Sequence, residues 1–204
     1  MPPRVFSLQG CMAVGKTTAL RALQERAPWA YVIYESNAET LGQVAVRRLD
    51  KTRLPDYLQI QRLWIENELR RWSLAQSHPV SILDFGAEEI EFYTLCYPAS
   101  IGKNWDVETL LAPELAALRK CLPERVLFLD APESVLRERK RGDATRSRDF
   151  FEHAVASLLP AKRRWFFSKP NVDVLDVARL SPEAVCSAVL NWLERQCFPG
   201  GTPS

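Results

Sequence analysis

The stretch "GCMAVGKTT", Gly10 to Thr18, is the part of this sequence from which its fold can be inferred. It has a glycine, four further residues and then Gly-Lys-Thr, and it follows the apolar run "VFSL". Glycines at this spacing let the chain curl so that successive backbone N–H groups point inward. Together with the N-terminus of a following helix, those donors form a cradle for an anion. The stretch therefore predicts an anion-binding loop between a strand and a helix.

Two side chains of this loop extend the prediction to a nucleotide. Lys16 is placed to reach the outer phosphates, and the hydroxyl of Thr17 is placed to coordinate Mg²⁺. We therefore expect the loop to bind a nucleoside triphosphate together with Mg²⁺. The residues expected to contact the nucleotide are Gly10, Ala13, Val14, Gly15, Lys16, Thr17 and Thr18.

Length and composition narrow the remaining possibilities. The chain has 204 residues, so we expect one domain over residues 1–197 and a disordered tail over residues 198–204. Its 27 basic and 25 acidic side chains leave a net charge of only +2, which argues against a nucleic-acid or membrane surface. The five cysteines form no C-x-x-C pair and no metal-ligand spacing with histidine, which favours a reduced, cytoplasmic location.

Strand-like and helix-like segments alternate along the chain. Five short apolar segments predict strands, namely "RVFSL", "AYVIYES", "VSILDFG", "RVLFLDA" and "VDVLDV". The segments between them predict helices, including a long one over "DYLQIQRLWIENELRRWSLAQ", one over "DFFEHAVASLLPAKRRWFF" that is interrupted or ends near Pro160, and a closing helix capped by Ser181. Short strands separated by helices predict a parallel sheet covered on both faces.

Two strands end in an aspartate that could complete a Mg²⁺ site. "SILDFG" provides Asp84 and "LFLDAP" provides Asp130. The strand that carries Asp84 follows the second strand and a long helix, which suits a position next to the first strand. Asp130 could instead cap the helix that begins at Pro132. The sequence thus favours Asp84 and leaves Asp130 as the alternative.

A third carboxylate follows the second strand. "IYES" presents Glu35 at the carboxyl edge of the predicted sheet, where ligands of open α/β sheets bind. A carboxylate at this edge could accept the proton of an attacking hydroxyl group, which makes Glu35 a candidate general base. The alternative is a solvated surface residue or a charge near a helix N-terminus.

The segment "RERKRGDATRSR", residues 137–148, carries six basic side chains. Phosphoryl transfer needs positive charge around the migrating group, and a mobile loop can supply it while excluding water. We therefore expect an arginine-rich lid over about residues 140–150. A solvated run of charges is the alternative interpretation of this segment.

The order of these features resembles the group of nucleoside and nucleotide monophosphate kinases, above all the deoxynucleoside kinases and thymidylate kinases. The resemblance implies a three-layer α/β P-loop fold with the strand order 2-3-1-4-5. It also implies that Glu35 acts as base towards a 5′-hydroxyl group, that Gln59 or Gln61 reads a nucleobase, and that Trp64 stacks on it. The lid arginines would correspond to some of Arg139, Arg141, Arg146 and Arg148, of which we assign Arg141 and Arg146 to catalysis and Arg139 and Arg148 to nucleotide binding.

Two departures from the pattern of these kinases concern the acceptor. Phe85 follows Asp84 where an arginine is usual, and Ser36 follows Glu35 where a proline is usual. A phosphate acceptor needs an arginine clamp, so the missing arginine favours a hydroxyl acceptor.

The sequence therefore predicts a small-molecule kinase that transfers the γ-phosphoryl group of ATP to a hydroxyl group of a nucleoside or nucleoside-like metabolite. A nucleoside monophosphate kinase, with Arg47 and Arg48 as clamp, is the alternative. A regulatory P-loop NTPase is the second alternative. The oligomeric state, a homodimer included, stays open.

Overall fold

A parallel sheet of five strands forms the centre of the molecule. The computed structural model describes residues 2–141 and 148–198. The strands are β1 (Arg4–Gly10), β2 (Tyr31–Ile33), β3 (Val80–Asp84), β4 (Arg125–Asp130) and β5 (Val172–Asp176). Their order across the sheet is β2-β3-β1-β4-β5, and all four neighbouring pairs are parallel. The predicted fold class and strand order are confirmed.

Strand β1 lies in the middle of the sheet and is buried on both faces. Because successive side chains of a strand point to opposite faces, Phe6 and Leu8 share one face, and Val5, Ser7 and Gln9 share the other. All five are buried. The first face is apolar throughout, whereas the second becomes polar towards the carboxyl end of the strand. There the predicted anion-binding loop begins, Gly10 to Thr18, which we call the phosphate loop.

Two helices cover the face that carries Phe6 and Leu8. They are α1 (Lys16–Arg26) and α10 (Pro182–Cys197), and their apolar residues join those strand residues in one core cluster. The ring of Trp192 on α10 meets Phe6 edge-on, with centroids 5.9 Å apart. The hydroxyl of Ser181 accepts a hydrogen bond of 3.2 Å from the N–H of Ala184, so the predicted cap of the closing helix is present.

The opposite face is covered by α3 (Leu54–Ala75), α4 (Ala87–Ser100), α6 (Ala112–Leu118) and α9 (Leu159–Phe167). The shorter helices α2 (Ala38–Val46) and α5 (Val107–Leu110) connect to this layer. The sequence did not predict α4, because its residues show no amphipathic period and Pro98 lies within it. The structure explains the missing period, since α4 is enclosed by other elements and most of its residues are buried.

The segment after β4 contains α7 (Glu133–Arg141), α8 (Arg148–His153) and a π-helical stretch, Ala154–Leu158, which leads into α9. In an unbroken α-helix the ring of Pro160 would clash with the carbonyl of Ala156. The π-helical stretch directly before the proline widens the helix, and the N–H of Leu159 bonds to the carbonyl of Ala154, five residues earlier. The predicted interruption near Pro160 is therefore this stretch.

Two predicted features lie largely or wholly outside the described residues. They are the middle of the arginine-rich lid, residues 142–147, and the tail beyond residue 198. In the ranges that are described, no helix combines the length and the apolar character needed to cross a membrane.

Candidate active site

The carboxyl edge of the sheet brings the predicted site residues together. All five strands are parallel, so their carboxyl ends meet at one edge. Gly10 ends β1, Asp84 ends β3 and Asp130 ends β4, while Glu35 follows β2 by two residues. The phosphate loop and the three candidate carboxylates therefore lie along the same side of the molecule.

The phosphate loop has a backbone that requires its glycines. Gly10 has φ 137°, Ala13 φ 63° and Gly15 φ 108°, all in the region that L side chains rarely adopt. At Gly10 a Cβ atom would also lie 2.5 Å from the carbonyl oxygen of Leu129 in β4. Helix α1 then begins at Lys16 without a side-chain cap. Its first N–H groups are thus available to an anion.

Lys16 lies folded over the loop that precedes it. Its ammonium group donates to the carbonyl oxygens of Gly10, at 3.0 Å, and Cys11, at 3.2 Å. These are ordinary hydrogen bonds that phosphate oxygens can replace. The thiol of Cys11 is buried, and burial raises its pKa. Cys11 is therefore a neutral part of the loop's packing.

Thr17 and Asp84 form the pair expected of a Mg²⁺ site. The Thr17 hydroxyl donates to Asp84 Oδ2 at 3.0 Å. Asp84 is almost fully buried, and within the described ranges its Oδ1 atom has no hydrogen-bond partner. A buried carboxylate oxygen without a partner beside a hydroxyl group suits Mg²⁺, which commonly uses one or two carboxylates together with phosphates and water. The residues present therefore fit this cation.

Asp130, the alternative to Asp84, is engaged elsewhere. Its Oδ1 atom accepts from Nε of Arg163 on α9 at 2.9 Å, and the same guanidinium donates to the carbonyl of Ala131 at 2.8 Å. Asp130 has no contact with Thr17 among the hydrogen bonds of the described residues. The geometry thus favours Asp84 for the metal.

Glu35 stands between two cavities. A smaller one, of about 540 Å³, is lined by Thr17, Arg21, Gln24, Tyr34, Glu35, Asn37 and Asp84. A larger one, of about 900 Å³, extends from the phosphate loop between α2, α3 and α4. Glu35 and Asn37 line both, and the Asn37 side-chain amide donates to Glu35 Oε1. The carboxylate is therefore positioned between the Thr17–Asp84 pair and the larger cavity.

The larger cavity is mostly apolar and rich in aromatic rings. Its aromatic residues are Tyr57, Trp64, Phe85, Tyr93, Tyr97 and Phe150, and its charged residues are Lys16, Glu35, Asp50, Lys51 and Glu89. At the end away from the loop, the ammonium group of Lys51 lies over the rings of Tyr97, at 5.2 Å, and Phe150, at 5.4 Å. A cavity with apolar walls and a few polar groups is typical of a small-molecule site.

Helix α3 presents only one of the two candidate glutamines to this cavity. Gln61 and Trp64 line it, whereas Gln59 is exposed on the opposite side of the helix. Residues that are two positions apart on a helix are rotated by about 200° about its axis, so the two glutamines cannot share a face. Gln61 Oε1 accepts from the Thr94 hydroxyl at 2.9 Å, which leaves the amide N–H groups of Gln61 for another partner. Gln61 therefore faces this cavity and Gln59 does not, and the role of Gln61 towards a nucleobase stays a prediction.

The candidate lid arginines have different positions. Arg139 on α7 donates to the carbonyls of Val14, at 3.1 Å, and Val177, at 2.7 Å, so it contacts the backbone of the phosphate loop. Arg141 is exposed at the end of α7. Arg146 lies outside the described residues, and Arg148 begins α8. Their predicted roles stay predictions.

Among the described residues that line the larger cavity there is no arginine to take the place of the one that Phe85 replaces in sequence. Arg71 on α3 lies nearby, with its guanidinium 4.7 Å from the centroid of the Phe85 ring. It is buried, however, and bonds to Glu68 and to the carbonyls of Ile33 and Asp84. Burial raises the pKa of Glu68 to about 7, an effect that Arg71 opposes. Arg71 thus has a structural role, because its guanidinium bonds to the carboxyl ends of both β2 and β3.

Sequence reasoning missed a buried ion pair beneath the phosphate loop. Lys162 on α9 donates to Glu89 Oε1 on α4 at 2.5 Å and to the carbonyl of Gly10 at 3.2 Å. With its amide oriented to satisfy both neighbours, Gln9 donates to Glu89 Oε2 at 2.8 Å and accepts from the Gly86 N–H at 3.0 Å. Burial lowers the pKa of Lys162, and Glu89 opposes that effect. No short-range pattern links residues that are this far apart in sequence.

Of the comparisons with known proteins, the one with solved structures identifies the fold. No family profile matches the sequence, and no curated protein is significantly similar to it. Among solved structures, thymidylate kinase from Candida albicans superposes with a TM-score of 0.63 at 16% identity over 96% of this chain and 93% of its own. Deoxyadenosine kinase from M. mycoides, with dCMP and dCDP bound, superposes with a TM-score of 0.68 at 14% identity over 93% of this chain and 98% of its own. The same enzyme with bound dCTP superposes with a TM-score of 0.65 at 15% identity over 93% of this chain and 98% of its own. This chain therefore has the fold of the P-loop nucleoside and nucleotide kinases.

Proposed function

We propose that this protein is a kinase that transfers the γ-phosphoryl group of ATP to a hydroxyl group of a nucleoside or nucleoside-like metabolite. The observation that carries the proposal is the position of Glu35, which lines both the cavity at Thr17 and Asp84 and the larger aromatic cavity. A base at that boundary can reach an acceptor in one cavity while the donor phosphates occupy the loop.

The donor side of the site is built from the phosphate loop. The N–H groups of the loop and of the first turn of α1 hold the phosphates, and Lys16 exchanges its two carbonyl partners for phosphate oxygens. Thr17 and Asp84 would hold Mg²⁺, which neutralises charge that develops on the phosphates. The Asn37 amide orients the Glu35 carboxylate.

The acceptor side favours a hydroxyl group over a phosphate. Transfer forms a bond between the acceptor oxygen and the γ-phosphorus, breaks the bond to the β-phosphate oxygen, and passes the hydroxyl proton to Glu35, so that ADP leaves. A phosphate acceptor needs cationic partners instead. The described residues that line the larger cavity include no arginine, and both Arg47 and Arg48 are exposed and do not line it. The lack of an arginine clamp in this described lining argues against the monophosphate kinase alternative.

The aromatic walls and Gln61 suit an acceptor with a flat heterocycle. Rings such as those of Trp64 and Tyr57 can stack on or enclose a base, and the Gln61 amide can donate to it. The solved structures of similar fold include a deoxyadenosine kinase and a thymidylate kinase, which supports this acceptor class.

The location of the protein is part of the same proposal. All five cysteines are free thiols. Free thiols, two of them half-buried, suit a reducing compartment such as the cytoplasm.

The test is the Glu35→Gln variant, assayed with labelled ATP against a panel of nucleosides, nucleoside monophosphates and other hydroxylated metabolites. Glutamine keeps the size and polarity but cannot take the proton, so kcat on the true acceptor should fall about a hundredfold or more while ATP affinity stays unchanged. Glu39→Gln is the control, because Glu39 is exposed on α2 and pairs with Arg70. Normal turnover by Glu35→Gln, or transfer only to monophosphates, would refute the hydroxyl-kinase proposal.

A further inference from the structure

The carbonyl group of Gly10 receives two ammonium donors. Lys16 Nζ lies 3.0 Å from this oxygen and Lys162 Nζ lies 3.2 Å from it. Lys16 belongs to the loop, whereas Lys162 lies on α9, which comes after β4 in the sequence. Since both nitrogens contact one atom, two positive charges lie side by side at the first peptide of the phosphate loop.

The two lysines differ in how firmly they are held. The second partner of Lys16 is the carbonyl oxygen of Cys11, at 3.2 Å. The Lys16 side chain also lines the larger cavity. Lys162 is 2% exposed and has an ion pair of 2.5 Å with Glu89. The rings of Tyr93 and Phe166 lie 5.5 and 6.0 Å from its ammonium group. Lys162 is thus fixed in place, while Lys16 can leave.

Glu89 is itself fixed from the sheet. Its Oε2 atom accepts from the Gln9 amide at 2.8 Å, and Gln9 is fully buried at the end of β1. The ammonium group of Lys162 therefore connects α9, α4 and the first residue of the loop through bonds that do not involve Lys16.

From this arrangement we infer that Lys162 is a positioning residue for the phosphate loop, an inference that rests on the proposed function. When Lys16 moves to the phosphates, the Gly10 carbonyl loses one of its two donors. Lys162 then keeps that carbonyl turned away from the anion site, so that the loop N–H groups stay directed at the phosphates. Repulsion between the two ammonium groups also favours the departure of Lys16. Lys162 acts through Gly10 and does not touch the nucleotide.

The test measures binding of a non-hydrolysable Mg²⁺–ATP analogue by calorimetry, which needs no acceptor. Lys162→Met removes a charged donor from a buried carbonyl, so the dissociation constant of the analogue should rise about tenfold or more. Lys162→Met leaves the buried carboxylate of Glu89 without an opposite charge beside it, which destabilises the fold. The double variant Lys162→Met/Glu89→Gln removes both charges, so its unfolding temperature should recover towards that of the wild type while the weak binding persists. Lys162→Arg, which keeps a charged donor, should bind more tightly than Lys162→Met.

Arg163→Met is the matched control. Arg163 is the next residue on α9 and also bonds to a carboxylate and a carbonyl, those of Asp130 and Ala131, but not to the phosphate loop. Its dissociation constant should stay within about twofold of the wild type. A folded double variant that binds the analogue as tightly as the wild type would overturn the inference and leave the proposed function intact. Failure of the wild type itself to bind the analogue would overturn both.

Discussion

Replacing Glu88 with glutamine should remove a strong dependence of stability on pH. Glu88 lies at the start of α4, is 1% exposed, and has no hydrogen-bond partner for either carboxylate oxygen within the described ranges. Burial raises its pKa from an ordinary value of 4.5 to about 8. The folded state therefore holds a proton between those two values that the unfolded chain has released.

The sign and size of the effect follow from linkage. Because the folded state binds more protons in this window, the free energy of unfolding falls as pH rises, by about 1.4 kcal/mol for each pH unit. From pH 4.5 to pH 8 the loss amounts to about 5 kcal/mol, and it is complete above pH 8. Glutamine has no charge to bury, so Glu88→Gln should match the wild type near pH 4.5 and be markedly more stable at pH 8.5.

The assay is urea unfolding at half-unit steps from pH 4.5 to pH 8.5. Burial also raises the pKa of Glu68, to about 7, so Glu68 lowers the free energy of unfolding in a similar way in both proteins. The difference between the two curves therefore reports Glu88. Glu66→Gln is the control, because Glu66 is exposed on α3. Parallel curves for Glu88→Gln and the wild type would show that Glu88 is ionised in the fold or reaches solvent.

Two further predictions concern the site itself. Asp84→Asn should reduce Mg²⁺-dependent turnover far more than Asp130→Asn, because only Asp84 contacts Thr17, and the reverse ranking in a Mg²⁺ titration would assign the metal to the other strand. Gln61→Ala should raise the KM for the acceptor by about tenfold, the cost of one hydrogen bond in a buried site, while the exposed Gln59→Ala should leave it unchanged. Equal KM values for these two variants would remove Gln61 from the acceptor site.

Local patterns were sufficient to predict where the residues of the donor half lie. One loop contains the whole pattern formed by Gly10, Gly15, Lys16 and Thr17. This loop follows β1, so it marks the carboxyl edge of the parallel sheet. The preference for Asp84 over Asp130 needed only the order of neighbouring strands, and Asp84 does accept a hydrogen bond from Thr17. Its role as a metal ligand stays a prediction. These predictions depend on residues close in sequence or on rules of sheet topology.

The acceptor half depends on contacts that the sequence does not encode locally. The choice between Gln59 and Gln61 was left open, although Tyr57, Gln61 and Trp64 share one face of α3 at helical spacing and could have indicated it. Helix α4 escaped prediction because burial on several sides removes the amphipathic period. The Lys162–Glu89 pair joins two helices far apart in the chain, so only the folded structure reveals it.

The π-helical stretch Ala154–Leu158 determines which residue of "AKRRW" reaches the phosphate loop. One residue of an α-helix corresponds to about 100° of rotation, and a π-helical turn accommodates one residue more than an α-helical turn. Shortening this stretch by one residue would turn Lys162 away from Gly10 and bring a neighbouring side chain round in its place. The segment between α8 and α9 is therefore constrained in length more than in composition. Substitutions in it should be tolerated more readily than insertions or deletions.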